Sequence, residues 1–239
     1  METDNKVARQ VPPSDGEPER RFFKIQGTAE ARQVDSVDRM VIGGYGAVFN
    51  SYTNMGWYAE VVLPGFFDGI KDDRCACLLN HDPNHVLGRR KNQTLEWKVD
   101  ATGVEYRAVL PSSRADVYEL VKDGYVYESS FAFTTLRSTW EEVDRSLLAG
   151  KLSESDLDQL SYGGKVTVRN LVQGKELFDL SPVTYGAYEA TSVDTRAAKI
   201  SYDEWRQTKI EEKEELRSNI SDDPAWKEFF AEGTEFFKG

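Results

Sequence analysis

From residue 21 to about residue 190 the chain is built of short runs in which apolar and polar positions alternate, punctuated by glycines. Alternation at period two is the mark of half-buried strands. Phe22, Phe23 and Ile25, then Val41, Ile42, Tyr45, Val48 and Phe49, with glycines at 27, 43, 44 and 46, predict strands that bend or bulge, as small barrels require. Residues 57–63 predict another strand, and Pro64 opens a helical turn through Asp68. Residues 74–79 alternate again, as a strand whose end delivers His81. Leu95, Trp97 and Val99 mirror Val104, Tyr106, Ala108 and Leu110 across the Asp-Ala-Thr-Gly segment 100–103, which predicts a hairpin.

The period changes after residue 111. A Ser113/Asp116 capping pattern and the spacing of Ala115, Tyr118, Leu120 and Val121 predict a helix ending at Gly124, which feeds a strand over 125–136. Residues 141–164 form an acidic insertion with leucines at 147, 148, 152, 157 and 160, expected to be a helical excursion or a lid. Residues 166–180 predict a hairpin around Gln173-Gly174, and 183–188 a last strand. A linker begins at Arg196-Ala-Ala198. Beyond it Ser201 and Glu204 form a capping box for an acidic helix to Leu216, and Asp223-Pro224 opens a second helix carrying Trp226, Phe229 and Phe230, with Phe236 and Phe237 following. Residues 1–20, with prolines at 12, 13 and 18 and almost no large apolar side chain, predict a disordered arm. The expected organisation is thus an arm (1–20), one domain (21–195) with the 141–164 insertion, and an acidic, aromatic helical extension (196–239).

Composition narrows the function classes. The 239 residues carry a formal net charge of -11, which argues against a general nucleic-acid binder, since neutralising phosphates needs clustered Lys and Arg. No apolar run has the length of a membrane span, and the first residues lack the basic start and apolar core of a signal peptide. Two cysteines, Cys75 and Cys77, supply no disulfide framework and fit a reducing cytosol. With His81 and His85 they superficially resemble a zinc site, but Cys-x-Cys on one strand cannot readily fold four ligands around an ion. Small buried hydrophobes is the better reading of both thiols.

The chain has two histidines, and both lie in the stretch 79–90. Imidazole is the side chain that exchanges protons near neutral pH, so any imidazole base is there. Asp82 and Pro83 set a turn that fixes His81 at a strand end, whereas His85 lies beyond the turn. Ser129 and Ser130 sit inside an aromatic run, Tyr125 to Phe133. Alternation puts Ser129 with Tyr125, Tyr127, Phe131 and Phe133 on a core-like face, and Ser130 beside small Ala132 on a more polar one. A nucleophile needs access, which favours Ser130.

Five ordered motifs then carry a resemblance: Gly-Tyr-Gly-Ala-Val-Phe-Asn (44–50), Leu-Pro-Gly-Phe-Phe-Asp (63–68), Leu-Asn-His-Asp-Pro (79–83) with Leu-Gly-Arg (87–89), Ser-Ser-Phe-Ala-Phe (129–133) and Leu-Ser-Pro-Val-Thr-Tyr (180–185). Together they closely resemble the prohead proteases of tailed bacteriophages, over roughly residues 20–192. The resemblance implies an α+β fold, a β-rich barrel flanked by helices and akin to the herpesvirus assemblins. It implies a serine endopeptidase with Ser130 as nucleophile and His81 as general base, and it places the family's acidic residue at Asp179. Assemblins use a second histidine as third member, so His85 remains the alternative there. No cofactor is implied. The implied substrates are the scaffold protein, the N-terminal segment of the major capsid protein and the protease itself, inside the immature shell in the host cytoplasm; a homo-oligomer is compatible with this, and neither nucleic acid nor membrane is a partner. The rival reading is a non-enzymatic capsid assembly or scaffold protein that keeps the fold. The aromatic extension, on which the resemblance is silent, would suit a docking tail with a self-cleavage region near residues 196–199.

Overall fold

Two long strands, adjacent over nearly their whole length, carry the fold. The computed structural model describes residues 19–23, 30–33, 40–184 and 195–222. Along it run β1 (Glu19–Phe23), β2 (Glu30–Gln33), β3 (Met40–Val48), β4 (Tyr52–Asn54), β5 (Ala59–Val62), β6 (Ala76–Leu78), β7 (Val86–Arg89), β8 (Leu95–Val99), β9 (Gly103–Val109), α1 (Ala115–Lys122), β10 (Glu128–Asp144), α2 (Glu154–Leu160), β11 (Ser161–Tyr162), β12 (Lys165–Val183) and α3 (Thr195–Asp222). β10 and β12, 17 and 19 residues long, pair antiparallel from Asp144↔Lys165 to Glu128↔Val183. The larger sheet follows the order β1-β10-β12-β5-β4, with β11 and β6 also on β12 and β7 on β6; the smaller one runs β2-β3-β9-β8.

The architecture is mixed α+β and rich in strand. The expected barrel does not form: among the described residues both sheets are open, ending at β1 and β4 and at β2 and β8. Closure requires the outer strands to share a ladder. Here the sheets instead share a core. Ile42, Leu95, Val104 and Tyr106 of the smaller sheet meet Phe131, Phe133, Leu177 and Leu180 of the larger, with Phe66 and Phe67 between. Phe131 and Phe133 stack at 4.6 Å, and Phe66 meets Phe133 edge-on at 5.2 Å. Each such side chain contributes about 1.5–3 kcal/mol on burial, so this cluster anchors the start of β10 firmly.

The hairpin expected at residues 166–180 is replaced by one uninterrupted strand. Gly174 is not its turn but a point of close approach: its N–H donates to the Phe66 carbonyl at 2.7 Å, and a Cβ there would stand 2.5 Å from Ile70 Cδ1. Register shifts between Ala132 and Ser138 bend the β10–β12 ribbon. Its far end enters a second core of Ala59, Val61, Leu148, Leu157, Leu160, Val166 and Val168. Residues 141–164 are therefore not helical throughout. Glu141 to Asp144 end β10, and only a short 3-10 turn, α2 and β11 follow, with Leu147 left exposed.

Other boundaries moved for local reasons. The capping expected from Ser113 is absent; Ser112–Arg114 form a 3-10 turn and Arg114 precedes α1 with no side-chain cap. Gly124 ends that helix region as expected, at φ 77°. Residues 64–69 form successive turns rather than a helical turn. Glu19 and Arg20, assigned to the arm, already belong to β1; residues 1–18 lie outside the described residues. Arg196 to Ala198, read as a linker, belong to α3, in keeping with the helix preference of Arg, Ala and Lys. The second helix with Trp226, Phe229, Phe230, Phe236 and Phe237 also lies outside the described residues. Two compact units divide the chain, residues 1–198 and 199–239. Among the described residues no helix is long and apolar enough to cross a membrane.

A buried ionic cluster ties three strands of the larger sheet. Arg169 of β12 places Nη1 2.6 Å from Glu19 Oε2 of β1 and 3.0 Å from Glu60 Oε2 of β5, all three side chains at most 4% exposed. Thr135 donates to Glu19 Oε1 at 2.7 Å. Burial alone would lower the guanidinium's pKa; Glu19 and Glu60 outweigh it and hold it above its ordinary value.

The predicted hairpin β8–β9 forms, with Asp100 Oδ1 accepting from the N–H groups of Thr102 and Gly103 at 2.7 and 3.0 Å. Gly103 also packs directly on β3: a Cβ there would collide with the Ala47 carbonyl and lie 2.9 Å from Val48 Cα. Since backbone cannot yield as a side-chain tip does, Gly103→Ala is expected to lower stability by about 1–3 kcal/mol in urea denaturation. A loss near zero would mean that β3 and β9 can separate freely.

Candidate active site

In an antiparallel pair, directly opposed residues point to the same side, and successive residues to opposite sides. The ladder sets Ser130 opposite Ser181 and Ala132 opposite Asp179 without irregularity between. Ser130, Ala132, Asp179 and Ser181 therefore share one face. Ser129 and Phe131 take the other, where the Tyr106 hydroxyl lies 3.1 Å from Ser129 Oγ. The separation of the two serines onto opposite faces holds. The argument from access does not: Ser130 is 0% exposed, as is Ser129, because both faces of this segment are covered. Tyr125 and Tyr127, assigned to a core-like face, are exposed and precede the strand.

His81 reaches this face from β6, which runs parallel to β12 with Ala76 beside Asp179. Its turn is tightly held. Asp82 N–H donates to the Leu79 carbonyl at 3.0 Å, His85 N–H to the Asp82 carbonyl at 2.9 Å, and Asn84 N–H to Asp82 Oδ1 at 2.8 Å. The last bond, first among its causes, keeps the Asp82 carboxyl below its ordinary pKa. Asn80 and His81 both adopt left-handed backbone, φ 53° and 58°. Non-glycine residues there cost of order 1–3 kcal/mol each, and such strain persists only where surroundings over-determine it. Here Asn80 N–H donates to the Pro182 carbonyl at 3.1 Å, and its side chain accepts from Thr184 N–H at 2.8 Å. The turn is thereby bound to the end of β12.

The result is a continuous chain of polar atoms. His81 Nε2 lies 2.6 Å from Ser130 Oγ, and His81 Nδ1 lies 2.6 Å from Asp179 Oδ1. A carboxylate can only accept, so the Nδ1 position carries the proton toward Asp179; in the neutral ring Nε2 is then the acceptor that faces the Ser130 hydroxyl. His81 and Asp179 are 7% and 4% exposed, so the whole chain is sheltered from water. The strand segment expected to end at residue 180 continues to Val183, so Asp179 lies inside β12.

The structure brings Ser130, His81 and Asp179 together. His85 stands apart, its ring half exposed, 4.0 Å from Asp82 Oδ2 and 3.5 Å from an Arg114 nitrogen. Cys75 and Cys77 sit in the apolar core, away from any cluster with both histidines; among the described residues no three His, Cys, Asp or Glu side chains gather as metal ligands do. Sequence reading passed over Ser181, whose Oγ donates to Asp179 Oδ1 at 2.8 Å. The signal was available in principle: Asp179 and Ser181 are two apart, hence on one face of any strand containing both.

A family model described as caudovirus prohead serine protease matches residues 27–206. No curated protein and no solved structure matches the chain.

The two thiols make a test of the local packing. Burial pushes Cys77 well above its ordinary pKa, with Asp179 adding to the effect, and Cys75 is raised for the same first reason. Raised values keep both as unreactive thiols at neutral and mildly alkaline pH. Iodoacetamide at pH 8 is expected to leave both unmodified in the native protein and to modify both in denaturant, by intact mass. Rapid native labelling would show that the core beside Asp179 opens.

Proposed function

The chain belongs to the family of caudovirus prohead serine proteases, and on that premise we propose that it is a serine endopeptidase of capsid maturation in which Ser130 is the nucleophile, His81 the general base and then acid, and Asp179 the group that orients His81. The observation carrying this reading is the unbroken chain Ser130 Oγ, His81, Asp179 Oδ1, with 2.6 Å at each link. Ser130 Oγ attacks the scissile carbonyl as its proton passes to His81 Nε2. The imidazolium so formed is stabilised by Asp179 through Nδ1–H. His81 then gives the proton to the leaving amine, and water repeats the sequence on the acyl-enzyme. Isolation from bulk water strengthens each of these interactions. In this conformation Ser130 is fully buried, so a substrate peptide must open the site to reach it.

On this reading the substrates are the scaffold protein, the N-terminal segment of the major capsid protein and the protease itself, inside the prohead in the host cytoplasm. Family membership supports capsid proteins as the substrate class. The protease is assigned to residues 21–195 and docking to the extension 196–239, whose aromatic anchors suit burial against a partner. The assemblin-like kinship belongs to the same reading.

Co-expression with the capsid and scaffold proteins, followed by mass determination, tests the activity. Shortened products are expected; intact masses with the protease still incorporated would favour the non-enzymatic assembly protein. Ser130→Ala and His81→Ala are each expected to fold and to lower kcat/KM by about a thousandfold or more, because the proton-transfer unit acts as a whole. His85→Ala should stay within about threefold of the parent, since its ring contacts neither end of the chain. Equal loss in both histidine variants would instead point to a histidine pair. Removal of residues 199–239 is expected to leave hydrolysis of a soluble peptide unchanged and to reduce recovery of the enzyme with purified proheads.

A further inference from the structure

Ser181 is fully buried and faces Ser130 across the β10–β12 ladder. Its hydroxyl has one proton, and its neighbours decide where it points. The Leu78 backbone N–H, 3.2 Å away, can only donate, so Oγ accepts there. Asp179 Oδ1, 2.8 Å away, accepts. That is the same oxygen that meets His81 Nδ1 at 2.6 Å. The carboxylate is thus held from two sides at one atom, and its terminal torsion, which is soft in aspartate, has little freedom left. Ser181 also couples two strands. Leu78 belongs to β6, which leads into the His81 turn, and the β6–β12 ladder is reduced to the single pair Asp179↔Ala76. The Ser181 side chain carries the connection one step further, where a backbone bond would otherwise have to do so.

We propose that Ser181 is a positioning residue: its hydroxyl fixes the orientation of Asp179 and, through it, of His81. The proposal rests on the reading of Ser130, His81 and Asp179 as the catalytic chain. A positioning role acts where the imidazolium forms, in the transition state, and therefore on kcat rather than on KM.

The test uses full-length Ser181→Ala, with Ser181→Cys as a second variant that keeps the volume but donates weakly. Peptide hydrolysis and the proton NMR signal of His81 Nδ1–H are measured, the latter in the resting protein. The expected result is a kcat lower by about tenfold with KM within about twofold, and a downfield Nδ1 proton signal that moves or broadens more in Ser181→Ala than in Ser130→Ala, which leaves both bonds to Asp179 Oδ1 in place. An unmoved signal in a folded variant overturns the proposal, whether kcat falls or not, and so does the failure of both variants to fold, since each leaves Ser181 a structural role alone. If the parent protein hydrolyses no peptide and its capsid substrates stay intact, the functional reading fails, while the signal still reports on the positioning of Asp179.

Discussion

The antiparallel ladder between β10 and β12 is the constraint on which the site depends. A slip of one residue along it would exchange the two faces and put Ser129 where Ser130 stands. The ladder is regular over the part that matters, from Glu128↔Val183 to Ala132↔Asp179, and its irregularities begin only after Ala132. The ribbon can therefore bend to serve a second core without disturbing the site. Phe131 and Phe133, packed against Phe66, resist a slip from the opposite face, since it would take both rings out of that packing.

The position of His81 is held by a different economy of forces. Two consecutive left-handed residues are unfavourable in isolation. They are offset by a set of bonds that all lead to the same place, the end of β12 and the residue just after it: Asn80 to Pro182 and Thr184, and Leu78 to Ser181. The His81 turn is thus referred to the strand that bears Asp179.

Buried charge appears twice along β12, with different consequences. At Arg169 one guanidinium faces two carboxylates, and removing the guanidinium would leave both in the interior without the cation they share. Glu19 in that cluster is a buried residue of β1, so an acidic residue near the start of the chain has a structural role. At Asp179 the carboxyl group is met instead by the His81 imidazole and the Ser181 hydroxyl, both at the same oxygen.

Much of this was legible in the residues themselves. The hairpin around residues 100–103, the strand before His81, the turn made by Asp82 and the opposite orientation of Ser129 and Ser130 all follow from local periodicity and turn chemistry, which depend on residues near in sequence. The ordered motifs led to the protease family and to Asp179. What the tertiary structure alone decided has one physical origin: alternation reports which residues share a face, but not what lies against that face. Ser130 faces away from the aromatic core yet is covered all the same, and Gly174 marks the approach of Phe66 and Ile70 rather than a turn. Whether the sheets close into a barrel, which two acids meet Arg169, and where the Ser181 hydroxyl points are settled by partners tens to more than a hundred residues distant, and local sequence carries no record of them.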